Sequence, residues 1–585
     1  MTMNILASII LMIVSTEKWT KLILLFTLIW FITTPIIKKV TKSSTKKRLI
    51  RGCAGFLPFV LCIIYAAMNI HPATYQYFIM RGGLLCLILL MLSVTMWIPD
   101  SKKEGKFHIS NVIKGLMVGG GVITYFVAII LLVQNTYVTD YSELGWAESF
   151  SCMIDSMSES YVSRDYKNIN FEELKEKLLP VVEEAEKNND KTAFAKALLE
   201  YQYEFYDSHI WFEQNRDVLY RAEEELSGND YGLSMYKISN GDTIAIMVKK
   251  DSQAEKAGIH NGTVIKKWNG VDVNEAMLDV RCLDYWYQFE VLENEALMKP
   301  IFLAGQGGET VIVTFIADDG STKSVHLDSI GSYKTRESIV LSRFYSINRI
   351  SGENFSCRML NDDTGYLRIT NEHYGDHMDD ILTYCIGKHK KVYEELNAKL
   401  QELSDNGMKY LVIDLRNNSG GYVQVGNAVA SLFADRKLTN KAAIERYGHI
   451  IPMNTFHTFD EGKWKELSVA VIVNDATVSA VDDLTHLLSQ CPNVTVMGIT
   501  CSSNSVQTTG GVCYLSDDMF EVHCPIIYSL DENNDILEVT AERQAKVGLD
   551  LRIPVDYDAA MMIFSDSEND FEIEFAIDYL HQYQN

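Results

Sequence analysis

Two aliphatic runs constrain this chain most: Tyr410-Leu-Val-Ile-Asp-Leu415 and Val469-Ala-Val-Ile-Val473. Both are too continuously apolar for a strand with one wet face. They predict strands buried on both sides, as in a parallel sheet between layers. Each run stops at a polar turn, Arg416-Asn-Asn-Ser-Gly-Gly421 after the first and Asn474-Asp-Ala-Thr-Val-Ser479 after the second. Gly420 and Gly421 fit a tight turn that leaves backbone N–H groups free. Ser479 heads the helix-like stretch Ala480–Ser489. A serine at a strand-to-helix turn beside free N–H groups is the geometry that acyl-transfer chemistry needs.

The same alternation extends to both sides. Strands are predicted at Tyr366–Thr370 and Val494–Gly498, and helices at Met378–Leu403 and Gln424–Phe433. Strand and helix in turn predict an α/β layered core over 331–585. Upstream, Phe171–Lys187 and Thr192–Tyr206 space apolar residues three and four apart among Glu and Lys, which predicts a helical domain over 136–228. The period then changes. Tyr231–Tyr236 and Thr243–Val248 read as strands, and Asp251–Gly270 reads as a one-turn helix, a turn and a strand within a β-rich domain over 229–330.

Residues 1–135 differ in kind, with apolar runs at Asn4–Ser15, Leu22–Ile37, Cys53–Ile70, Tyr77–Pro99 and Val112–Gln134. The last three are long enough to span a bilayer, so an α-helical membrane bundle of four or five helices is expected here. This region carries 14 Lys/Arg against 3 Asp/Glu, a net +11; the chain totals −24, so the rest carries −35. The basic residues at 38–51 and 102–106 belong on the cytoplasmic side, which places everything after Asn135 outside the cytoplasm of a multi-pass membrane protein. A surface that acidic excludes nucleic-acid partners. Four of the 11 cysteines crowd into Cys491–Cys524 without a spacing that names pairs, and no CxxC pair points to zinc.

Asp414-Leu-Arg-Asn-Asn-Ser-Gly-Gly421 followed by the Ser479-Ala480 segment resembles the tail-specific, carboxyl-terminal-processing serine peptidases, and the 229–330 unit resembles the PDZ domain that this family carries ahead of those motifs. The resemblance implies a polypeptide substrate, engaged in part by a PDZ-like sheet edge, and no cofactor. It implies Ser479 as nucleophile, with oxyanion-binding N–H groups from Gly420 or Gly421 and from Ala480. One branch of the family uses a lysine base, but Asn504 stands at about that position, and an amide takes no proton. The tricorn-like branch uses a histidine in an Asp-x-His context. Tyr206-Asp-Ser-His-Ile210 supplies it, making His209 the expected base and Ser208 its assistant. The same branch implies a glutamate after the serine, for which Glu542 fits best and Glu538 is the runner-up.

His373 and His377, beside Asp376, Asp379 and Asp380, hint at a metal, yet Gly375 between them and the missing zinc-protease glutamate argue against one. Two rivals stand beside the peptidase: an inactive membrane receptor that only binds peptides on this fold, and a transporter, disfavoured by the scarcity of charge within the apolar runs.

Overall fold

A computed structural model describes residues 138–285, 288–346, 354–375, 389–446, 449–459, 462–565 and 569–582. The chain divides into two compact units, Met1–Val138 and Thr139–Asn585. The expectation of a helical membrane bundle, and with it a multi-pass location, is corrected: among the described residues no helix is long and apolar enough to cross a membrane. The apolar runs at 1–135 that carried this expectation lie outside the described residues.

Helices α1 (Trp146–Ser160), α2 (Phe171–Asn188), α3 (Lys191–Tyr203) and α4 (Arg216–Ser227) form the first part of the second unit. In α2, Phe171, Leu174, Leu178, Val182 and Ala185 recur at three- and four-residue spacing and are buried. The Asn170 side chain accepts from the Glu173 N–H and Asp190 from Ala193, so α2 and α3 both start on a side-chain cap. These helices do not stand apart from the core. The strand β2 (Trp211–Glu213) inside this region pairs antiparallel with β17 (Glu521–Leu530) far down the chain. With β1 (Val138–Asp140), β12 (Thr439–Arg446), β13 (His449–His457) and β16 (Thr508–Tyr514), they form a sheet that the sequence periodicity did not announce.

A second, antiparallel sheet comprises β3 (Ser234–Lys237), β4 (Thr243–Ile246), β5 (Val264–Trp268), β6 (Val271–Asp272), β7 (Thr310–Ile316) and β8 (Thr322–Asp328). Helices α5 (Leu292–Leu303) and α6 (Lys334–Phe344) accompany it.

The central sheet runs β18 (Leu551–Arg552), β15 (Val494–Gly498), β14 (Ser468–Ile472), β11 (Tyr410–Asp414), β10 (Thr364–Ile369) and β9 (Phe355–Met359), all parallel except β9. Pleating splits each aliphatic run between two cores. Leu411, Ile413, Val469 and Val471 face α7 (Lys390–Asp405), α8 (Val423–Ala430) and α9 (Ala480–Ser489). Val412, Ala470 and Ile472 face α10 (Tyr557–Ile563), α11 (Phe571–Gln582) and the antiparallel sheet. Each such aliphatic side chain contributes about 1.5–3 kcal/mol by burial. Of the expected helix Met378–Leu403, α7 is the described part, and 376–388 lie outside the described residues.

One ionic knot fixes the turn after β11. Arg416 donates to both Asp414 oxygens, at 2.9 and 2.8 Å, and also to Glu572 at 2.8 Å and Asp570 at 2.9 Å. Burial raises the Asp414 carboxyl, but Arg416 and Arg368 overcome this and hold it far below the usual carboxylate range. Removing one partner of such a buried pair costs about 3–5 kcal/mol. In this way α11 is tied to the loop that leads to the glycine pair.

Candidate active site

The turns after β11 and β14 are stapled to each other. The Val478 N–H donates to the Asn418 carbonyl at 3.0 Å, Thr477 Oγ1 donates to the Leu415 carbonyl at 2.9 Å, and Asn417 and Asn474 exchange hydrogen bonds at 3.0 and 3.1 Å. Ser479 then sits at φ +77°, ψ −135°, immediately ahead of α9. A non-glycine residue there is strained by on the order of 1–3 kcal/mol and persists only where the surroundings dictate it. They do so here: the Ser479 N–H donates to the Ser505 carbonyl at 2.8 Å, and the Ser479 carbonyl accepts from Asp482 N–H at 2.8 Å.

Gly420 packs directly against this serine, and Gly421 against Glu372. Gly420 is at φ +77°, and a Cβ on it would lie 2.7 Å from Ser479 Cβ and 2.8 Å from the Ala480 nitrogen. Gly421 is at φ +146°, and a Cβ there would meet the Glu372 carbonyl at 2.6 Å. The Gly420 N–H donates to Asn418 Oδ1 at 2.8 Å, whereas the Gly421 and Ala480 N–H groups meet no protein acceptor among the described residues.

His209 arrives from another part of the chain and lines the same cavity of about 340 Å3 as Ser479, Ala480, Gly421, Ser208, Trp211 and His373. Its Nδ1 lies 2.8 Å from Ser505 Oγ, and its backbone N–H donates to Asp207 Oδ1 at 2.9 Å. Ser505 Oγ in turn donates to Asp207 Oδ1 at 3.3 Å. Asp207 is wholly buried and accepts from Tyr161 Oη at 2.7 Å, and Lys167 Nζ lies 3.7 Å from it and 2.8 Å from Glu538. Burial lowers the His209 pKa; Asp207 pulls it back and Lys167 lowers it again, for a net value below the ordinary one. Burial would lower the Lys167 pKa as well, but Glu538 and Asp207 reverse this, so the lysine remains a cation and is no base.

The residues expected from sequence therefore divide. Ser479, Ala480, Gly421, Ser208 and His209 line one cavity, and Gly420 packs behind the serine. The Ser208 N–H donates to the buried Glu290 at 2.6 Å. Glu542 is exposed and is not among the lining residues, while Glu538 is buried against Lys167. The carboxylate nearest the imidazole is Asp207, whose signal was the first letter of the Asp-x-His context. Asn504 holds the loop, accepting from the Val547 N–H at 2.6 Å, and the side chain that touches the histidine belongs to its neighbour Ser505. The seven cysteines among the described residues are all free. His373 is exposed on the cavity wall; His377, Asp376, Asp379 and Asp380 lie outside the described residues.

A sheet whose strand ends carry a strained serine on one turn and a glycine pair on the next has the layout of a serine peptidase. Residues 363–535 match the model of Peptidase family S41. A carboxyl-terminal-processing protease of Picosynechococcus sp. is 25% identical over 294 residues, covering 49% of this chain and 56% of the relative. The chain spans about half the length of the curated relatives it matches. Among solved structures, mature CPAF aligns at 13% identity and a TM-score of 0.47, over 74% of this chain and 95% of that one. The tricorn protease aligns at 15% identity and a TM-score of 0.32, over 75% of this chain and 37% of that one.

Proposed function

We propose that this chain hydrolyses polypeptides through an acyl-enzyme intermediate. The observation that carries the reading is Ser479, strained into a left-handed conformation, on one cavity wall with a neutral, buried His209. Ser479 Oγ attacks the scissile carbonyl, and its proton passes to His209 Nε2. Nδ1–H is held by Ser505 Oγ, whose own proton is shared between Asp207 Oδ1 at 3.3 Å and Gln507 Oε1 at 3.2 Å, so the buried carboxylate supports the imidazolium through one hydroxyl. The Gly421 and Ala480 N–H groups receive the oxyanion; Gly420, with its N–H committed to Asn418, shapes the turn instead. His209 then gives the proton to the leaving amine and activates the water that releases the acyl group. Asp207 thus takes the part that the sequence resemblance gave to Glu542.

The six-stranded unit at 229–330 is, in this reading, a PDZ-like domain that engages substrate by adding it as a strand at a sheet edge. Fluorophosphonate labelling tests the whole proposal. Wild-type chain labels at Ser479 and hydrolyses peptides, whereas Ser479→Ala loses labelling and turnover by on the order of 10⁴-fold or more at unchanged Tm. An unlabelled wild-type chain that still binds peptides is instead the inactive receptor.

A further inference from the structure

Trp211 forms part of the cavity wall, and behind it three metal-ligating side chains converge. β2 and β17 pair with Glu213 opposite Glu521 and Trp211 opposite His523. Residues two apart on a strand share a face, so all four lie on one side of the ribbon. The ligand atoms of Glu213, Glu521 and His523 fall within 4.8 Å of one another. The Trp211 ring stacks on the imidazole at 4.4 Å between centroids and 6° between planes, which fixes the plane of the ring.

As an ordinary sheet surface, this arrangement is unfavourable. Two carboxylates directly opposite on paired strands repel, and Gln214 offers Glu521 a neutral side-chain hydrogen bond rather than a countercharge. His523 Nε2 lies 3.0 Å from Glu521 Oε1, yet it is buried and makes no hydrogen bond. The imidazole nitrogen and a carboxylate oxygen thus stand at contact distance with no hydrogen bond between them. Two atoms that ligate one ion at ~2.1 Å stand about 3.0–3.4 Å apart, and the observed separation falls in that range.

We propose that Glu213, Glu521 and His523 bind one divalent cation of the zinc class. A single such ion removes the repulsion between the carboxylates and gives the nitrogen a partner. The imidazole selects zinc over magnesium or calcium, which prefer all-oxygen sets. The ion does no chemistry on substrate. It clamps β2, which begins two residues after His209, to β17, and so positions the segment that carries the base.

Zinc chloride titrated calorimetrically into the chelator-treated full-length chain tests this directly. One ion per chain is expected, with a Tm that climbs with the logarithm of zinc concentration and no competition from millimolar magnesium. His523→Ala and Glu521→Gln each weaken binding by roughly 10-fold or more. Cobalt chloride gives visible d–d bands in the wild type and none in His523→Ala. Glu213→Gln, which removes one of the facing charges without shortening the side chain, serves as the folding-neutral variant and also weakens binding. Absence of stoichiometric zinc binding overturns the proposal, as does wild-type zinc affinity in His523→Ala and Glu213→Gln.

Discussion

The two halves of the candidate site are built from different materials. The serine half comes from two turns some sixty residues apart, joined by backbone hydrogen bonds and by Gly420 packed against the serine. The histidine half comes from segments spread between Tyr161 and Glu538, and buried side chains hold it together: Tyr161, Lys167, Asp207, Ser505 and Glu538. A backbone-built half is sensitive to volume, because a single added carbon displaces a donor. A side-chain-built half is sensitive to charge, because each buried group relies on its neighbour. Volume changes and charge changes should therefore separate the two.

The largest effect after loss of the nucleophile is expected at Gly421→Ala. A Cβ there meets the Glu372 carbonyl at 2.6 Å, so the turn must shift and carry the Gly421 N–H with it. Losing one oxyanion donor costs about 10²–10³-fold in kcat, and the upper end is expected because φ also has to change. Peptide turnover together with the fluorophosphonate labelling rate measures this. Near wild-type rates in Gly421→Ala would leave the glycine as a turn residue only and erase the contrast between the halves.

Asp207→Asn comes next, at about 10²-fold in kcat/KM, less than where a carboxylate touches the imidazole directly, because Asp207 lies 3.7 Å from His209 Nδ1 and acts through Ser505. The pH profile adds a readout that misfolding alone would not give. His209 must be neutral to accept a proton, so activity rises with pH through its pKa, which burial sets below the ordinary value. Asp207 raises that pKa, and its neutralisation moves the acid limb to still lower pH. Glu542→Gln, at an exposed position away from the cavity, is expected to leave both rate and profile in place. The reverse pattern would return the third role to Glu542.

How far the sequence could be read follows the same division. The central sheet was legible because its strands are uniform aliphatic runs and its turns carry their chemistry within a few residues. The predicted helix at Ala480–Ser489 and strand at Val494–Gly498 agree with α9 and β15. The sheet containing β2, β16 and β17 was not legible, since a three-residue strand such as Trp211–Glu213 has no period of its own and forms only where β17 offers an edge. Family likeness pointed to His209, but spacing could not rank the hydroxyl beside it among the three serines of Ser502-Ser-Asn-Ser505. Asn504 stands at about the position of the lysine in the other branch, and the hydroxyl that touches the histidine belongs to Ser505, one residue further on. The membrane bundle was inferred from residues 1–135, which lie outside the described residues; among the described residues no helix is long and apolar enough to cross a membrane.

Ser505→Ala should give the smallest loss, and it probes how much of the histidine half depends on one hydroxyl. The substitution keeps the Ser505 carbonyl that accepts from the Ser479 N–H, so the serine half is left intact. It removes the acceptor 2.8 Å from His209 Nδ1 and opens the link to Asp207. The imidazole then loses the preference that puts its proton on Nδ1, and only part of the population presents Nε2 as a base. With the ring still confined by burial, the rate should fall by roughly 10-fold, while KM and the labelling site stay the same. A ¹⁵N spectrum of the imidazole should show the tautomer balance moving in step with kcat. If the rate dropped as far as in Asp207→Asn, the hydroxyl and the carboxylate would be acting as one unit. If it did not drop, Asp207 would be reaching the ring by a route other than Ser505.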